Sequence, residues 1–229
     1  MIACLTMTHR TTTRHRIGAE AEPLITIDGF AVDPAALRAA AIEAAFDSAD
    51  HHYPGLRAPL PDTYLRDQLP VIAQALGRVF GPCRRLHVVD ARFSLVTTPP
   101  GRLDVRQSLP HVDAYGRERI ALVHYLSLGC RDGTAFYRHR ATGFETIDET
   151  RAPAYFDRLR AEVEDAPPTG YIVGDTPLFE RTAVAQGDYN RAVLYRSYLL
   201  HSGDIGPDTV FSTDPAAGRL TITAFLAVE

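Results

Sequence analysis

Residues 86–98 read LHVVDARFSLVTT. Side chains alternate in character along this stretch, and β-branched residues are frequent, the pattern of a strand with two unlike faces. Four later stretches share the texture: ERIALVHYLSLG (118–129), GTAFYRH (133–139), NRAVLYRSYLLHSG (190–203) and RLTITAFLAVE (219–229). Gly, Pro and Asp clusters separate them, and one helix is expected at about 153–164. Before residue 86 the pattern is different. Leu24–Phe30 predicts a short strand, and Asp33-Pro34 supplies an N-cap followed by proline at the first helical position, opening a helix to about Phe46. Pro54, Gly55, Pro59 and Pro61 mark 51–62 as a loop. A second helix is expected from Asp62 to Phe80, with Pro70 as a candidate break and Gly81-Pro82 as its end. The expected fold class is α+β, mainly β: a jelly-roll core over about 86–229, supported by N-terminal helices over about 21–85.

Composition narrows the function. The 229 residues carry 24 basic and 28 acidic side chains, a net charge of −4, so no basic field exists to hold nucleic acid or an anionic membrane. Every basic residue is Arg. With no Lys, neither a P-loop nor Schiff-base chemistry is available. Cys4, Cys83 and Cys130 are odd in number and widely spaced, which suits a reducing compartment better than a disulfide framework. The first 20 residues lack the apolar core of a secretory signal. Their Arg- and Thr-rich composition resembles a transit peptide, but a disordered tail or a later start at Met7 is the simpler reading. No stretch is long and apolar enough to span a membrane, and a cytoplasmic protein is expected.

Three short motifs could carry chemistry. In Pro110-His111-Val112-Asp113 an extended chain would put His111 and Asp113 on one face, two of the three ligands of a facial iron site; a solvated surface strand would look the same. His201 follows an apolar run and precedes Ser202-Gly203, as a ligand at a barrel mouth would, or as a packed histidine would. Arg219 and Thr221 share a face of the last strand with Thr223 and Phe225, opposite Leu220, Ile222, Ala224 and Leu226. A guanidinium and a hydroxyl so placed suit a buried carboxylate, although an exposed Arg at a strand start is equally ordinary.

Taken in order, His-x-Asp, His, then Arg-x-Thr, with His124-Tyr125-Leu126-Ser127, Asp132-Gly133-Thr134-Ala135-Phe136 and Asn190–Tyr195 between them, residues 88–229 resemble the Fe(II)/2-oxoglutarate-dependent oxygenases of the prolyl-hydroxylase-like branch. The resemblance implies a double-stranded β-helix and one oxygenase domain over 21–229. It also implies Fe(II) on His111, Asp113 and His201, and the distal carboxylate of 2-oxoglutarate on Arg219 and Thr221. His124 stands where the family often has a cosubstrate-binding Tyr, so the same role is expected of it. The interval from His201 to Arg219 is 219 − 201 = 18 residues, longer than usual in the family. With O₂ as the oxidant, 2-oxoglutarate would be decarboxylated to succinate while a substrate C–H bond is hydroxylated. The third protein ligand is Asp113 rather than Gly or Ala, which favours hydroxylation over halogenation.

The resemblance leaves the substrate open, as a small molecule or a peptide, and leaves open a homodimer built on the front helices. Arg102, Arg106 and Gln107, the turn Tyr115-Gly116-Arg117, and Tyr137-Arg138-His139 are candidate rim residues, or solvated surface. His51-His52 point apart on an extended chain and are not expected to share a metal; His87 is expected to pack. The rival reading is a jelly-roll or cupin-like protein that binds metal or ligand without turning over 2-oxoglutarate.

Overall fold

The computed structural model describes residues 9–48, 53–81, 84–129 and 131–229. Among these residues the fold is mainly β, with two antiparallel sheets and few helices. Eight strands make the large sheet: β1 (Thr11–Ile17), β2 (Glu22–Asp28), β3 (Asp47–Ser48), β4 (Gly55–Pro59), β5 (Leu86–Val96), β6 (Arg119–Tyr125), β9 (Ala192–Arg196) and β11 (Arg219–Val228). Their spatial order is β1-β2-β9-β6-β11-β5-β4-β3. The small sheet has the order β10-β7-β8, from β7 (Gly133–His139), β8 (Phe179–Ala185) and β10 (His201–Asp204).

Alternation along the strands builds the layers. Leu220, Ile222, Ala224 and Leu226 of β11, with Ile120 and Leu122 of β6 and Phe93 and Leu95 of β5, face α1 (Pro34–Glu43) and α2 (Asp62–Phe80). Leu37, Ala41, Tyr64, Ile72, Ala75 and Leu76 of the two helices close that core. Burying each Leu or Ile there contributes roughly 1.5–3 kcal/mol. The opposite face carries Ala121, Tyr125, Val193 and Tyr195, which pack between the sheets against Phe136 and Ala185. Helix α3 (Ala152–Asp165) covers the outside of the small sheet through Ala152, Tyr155 and Leu159.

Several local expectations are corrected. Residues 11–17, expected within a disordered tail, form β1 and pair with β2 from Thr11↔Asp28 to Ile17↔Glu22. Their hydrogen bonds, rather than apolar burial, hold them, since β1 is exposed except at Ile17. Residues 1–8, His51-His52 and the Cys83 and Cys130 positions lie outside the described residues. Residues 55–59, expected in a loop, form β4, which pairs with β5 in spite of its flanking prolines. Pro70 does not break α2; it lies on the exposed side, where water can satisfy the freed carbonyl. The apolar run 192–200 is not one strand. It ends in the large sheet at Arg196, turns through Ser197–Leu200, and begins again in the small sheet at His201. No helix among the described residues is long and apolar enough to cross a membrane.

Candidate metal and carboxylate site

His111 and Asp113 lie on an extended segment that runs beside the start of β10. His111 N–H donates to the His201 carbonyl at 2.8 Å and His201 N–H to the His111 carbonyl at 3.0 Å. Asp113 N–H is anchored on Ser197 O at 2.8 Å. Val112, between them, packs into the α3-side core, which turns both flanking side chains the other way. The ligand-type atoms of His111, Asp113 and His201 all lie within 4.8 Å of one another.

Each imidazole presents Nε2 to the carboxylate: His111 Nε2 is 3.6 Å from Asp113 Oδ1, and His201 Nε2 is 3.4 Å from Asp113 Oδ2. The other ring nitrogens are held by main chain. His201 Nδ1 donates to Leu199 O at 2.8 Å, and His111 hydrogen-bonds the Leu109 carbonyl. The His201 bond leaves that ring's Nε2 lone pair free, the outer-shell arrangement of metal-binding histidines. Surrounding protein, and then the neighbouring His201, lowers the His111 pKa, against a partial offset from Asp113. The two Nε2 atoms and the Asp113 carboxylate thus converge on one point. Adjacent ligands of an octahedral ion with bonds of about 2.1 Å stand about 3 Å apart, so small side-chain rotations would close the observed spacings on a divalent cation. The His111 side chain is 54% exposed against 6% for His201, which leaves the cluster open to solvent on one side.

A second polar cluster occupies the same interior. Cross-strand register sets Arg57, Ser94, Thr221 and Tyr125 in one row across β4, β5, β11 and β6, with Gly55, Val96 and Arg219 in a neighbouring row. The Arg219 Nη2 donates to Gly133 O at 3.0 Å and Asp132 O at 3.4 Å, and its guanidinium sits 6.0 Å from the Tyr125 ring centre. Arg57 lies over the Tyr53 ring at 5.0 Å and reaches Asp90 at 3.4 Å. Three buried polar atoms here have no hydrogen-bond partner: Arg219 Nε, Arg57 Nε and the Tyr53 hydroxyl. Burial pushes the Tyr53 phenol up, opposed by Arg219 and Arg57 and by the Ser94 and Thr221 hydroxyls alongside; those hydroxyls stand near it without completing a well-directed bond. Unpaired buried donors are costly, and an anion placed among these three would satisfy them.

The two clusters are neighbours. His201 and Gly203 share a face of β10, about 6.6 Å apart along a strand, and a Cβ at Gly203 would come within 3.9 Å of Arg219 Nη2.

Not all the sequence candidates converge. His124 does not face this interior. It pairs with Ile222 across β11 and points at the helices, where Tyr64 OH lies 3.3 Å from Nδ1 and Asn190 Oδ1 3.1 Å from Nε2. Asn190 Oδ1 also accepts from Ala31 N–H, so His124 Nε2 donates and Nδ1 accepts. The expected cosubstrate contact of His124 is therefore replaced by a packing role, and Tyr125, one residue on, occupies the inner face. Tyr137 is core, with its hydroxyl on Ile172 O. Arg138 is tied to Glu145 and Glu180, and His139 to Glu162 and Thr142, so this trio is not a substrate rim. Gln107 caps its own turn with Asp104. His87, expected to pack, is half exposed and meets Glu229 at 3.4 Å. Tyr53 and Arg57 escaped the sequence reading because they sit in a proline-rich stretch that reads as a loop; the alternation Leu56-Arg57-Ala58 was the available signal.

The family model described as "Family of unknown function (DUF6445)" matches residues 8–226. No curated protein matches by sequence. Among solved structures, HygX from Streptomyces hygroscopicus with nickel and 2-oxoglutarate bound aligns with a TM-score of 0.52 at 10% identity, over 91% of this chain and 84% of that one. The non-heme alpha ketoglutarate dependent epimerase SnoN from nogalamycin biosynthesis aligns at 0.49 and 13% identity, over 90% and 78%. An N-substituted L-amino acid dioxygenase from Burkholderia ambifaria AMMD aligns at 0.46 and 11% identity, over 96% of both chains.

Proposed function

Because this chain belongs to the DUF6445 family and has the fold of HygX, we propose that it is an Fe(II)/2-oxoglutarate-dependent oxygenase that hydroxylates a small molecule or a peptide. The two sheets then correspond to the walls of a double-stranded β-helix, with the chemistry between them. The observation that carries the reading is the pairing of a convergent His111–Asp113–His201 set with a pocket of unsatisfied donors beside it.

His111, Asp113 and His201 would hold Fe(II) on one face of the ion, through two neutral imidazoles and one carboxylate. When bound, iron with a 2-oxo acid supplies the oxidising power of O₂: one oxygen atom goes to the substrate C–H bond, the other to succinate, and CO₂ is released. Arg219 and Tyr53 would bind the distal carboxylate, with Thr221 and Ser94 beside them. Arg57 orients Tyr53 by lying over its ring. The Leu199 carbonyl holds the His201 tautomer. No side chain needs to act as a general acid or base. The cytoplasm, where thiols stay reduced, is the proposed location.

Anaerobic addition of Fe(II) and then 2-oxoglutarate tests the reading. Each should bind at one equivalent, and succinate should form when O₂ is admitted. Binding of metal without the 2-oxo acid would favour a metal-binding jelly roll.

A further inference from the structure

Two long loops meet beside the carboxylate pocket. Residues 166–178 carry Tyr171 and residues 205–218 carry Phe211, and the two rings are stacked, with centres 5.6 Å apart and planes within 9°. Each partner is tied to one side of the pocket. The Tyr171 hydroxyl donates to Thr98 O at 2.7 Å. Thr97 and Thr98 donate in turn through their N–H groups to Pro54 O, at 3.1 and 3.2 Å, next to Tyr53. The Tyr171 phenol lies within electrostatic reach of the Tyr53 phenol and the Arg219 guanidinium. On the other side, Asp132 accepts from Gly206 N–H at 3.3 Å and from the Thr209 hydroxyl at 2.5 Å, fixing the loop that bears Phe211. The carbonyl of the same Asp132 accepts from Arg219 Nη2.

We infer that the Tyr171–Phe211 stack roofs the Arg219–Tyr53 pocket, and that the two are positioning residues that keep water from the distal carboxylate of the cosubstrate. The inference rests on the function proposed above. A guanidinium–carboxylate pair is stronger and less screened by salt when water is excluded. The stack needs both loops, so the long interval between His201 and Arg219 has a use: it brings the Phe211 ring onto Tyr171. Asp132 links the two events, because one residue holds the loop through its carboxylate and Arg219 through its carbonyl.

The test is equilibrium binding of 2-oxoglutarate to the anaerobic Fe(II)-loaded protein, by calorimetry at low and high salt, for the wild type, Phe211→Ala and Phe211→Leu. Phe211→Ala should raise Kd at least about fivefold and steepen its dependence on salt, while Fe(II) affinity stays unchanged. Phe211→Leu, which keeps most of the cover, should fall between the two. An unchanged Kd and salt slope in Phe211→Ala would overturn the roof. So would a parallel loss of Fe(II) binding, which would make Phe211 a support of the fold. If the wild type itself bound Fe(II) but no 2-oxoglutarate, the underlying reading would fail and the roof with it, a result distinguishable from failure of the roof alone.

Discussion

His111 and His201 exchange both of their backbone hydrogen bonds, at 2.8 and 3.0 Å, and their imidazole centres stand 4.4 Å apart as a result. The bridge is made of main chain, so the histidine rings are additions to a scaffold that does not depend on them. It also joins a loop to the strand that opens the small sheet, so two residues 90 positions apart are fixed to a common frame (201 − 111 = 90).

Removal of either ring should therefore abolish metal binding without unfolding the chain. His111→Ala and His201→Ala are expected to lose the single Fe(II) equivalent in anaerobic calorimetry, with wild-type circular dichroism. Stoichiometric binding retained by either variant would refute the triad.

Arg219→Ala should weaken 2-oxoglutarate binding at least tenfold, because a charge-assisted bond contributes about 1.5–3 kcal/mol. Tyr53→Phe removes a neutral donor and should cost less, about 0.5–1.5 kcal/mol. Fe(II) affinity should be unaffected in both. Equal Kd values for Arg219→Ala and the wild type would place the carboxylate elsewhere.

Buried His124 predicts how stability responds to acid. Its pKa is lowered to about 4 by burial, against a partial offset from Asn190, whereas the unfolded chain titrates near about 6.5. Above that value neither state is protonated and His124 contributes no pH dependence. As pH falls from 6.5 to 4 the unfolded state takes up the proton first, so stability drops, by about 3 kcal/mol in total. Urea midpoints at pH 7 and 4.5 measure the loss, and His124→Gln should shrink it. An identical pH dependence in that variant would mean His124 does not titrate as its surroundings require.

Metal should stabilise the fold, since it binds across two segments that meet only in the native state. At a hundredfold excess over Kd the gain is about 2.7 kcal/mol, seen as a raised Tm that a chelator reverses. A Tm indifferent to Fe(II) would contradict assembly of the site from His111, Asp113 and His201.

Much of this was legible in the sequence, and the parts that were not have identifiable causes. The alternation in 219–228 shows which residues of β11 face inward, because one parity is fully apolar and the other holds Arg219 and the threonines. The same reasoning fails for His124. The run Ile120-Ala121-Leu122-Val123-His124-Tyr125 is apolar at both parities, since β6 is covered on both faces, and only its register with β11 decides the side. The break between β9 and β10 is hidden for a like reason: residues 192–200 stay buried, apart from half-buried Arg196, while they cross from one sheet to the other. Tyr53 and Arg57 were masked by prolines, and β1 by its exposure, which removes the periodic signal of burial.

The most direct measurement is a visible absorption titration of the anaerobic Fe(II)-loaded protein with 2-oxoglutarate, following the weak charge-transfer band of a chelated 2-oxo acid. A band that saturates at one equivalent, is absent in His111→Ala, and needs far more 2-oxoglutarate in Arg219→Ala is the predicted result. Tight binding of Fe(II) with no band at any concentration of 2-oxoglutarate would contradict the proposed oxygenase.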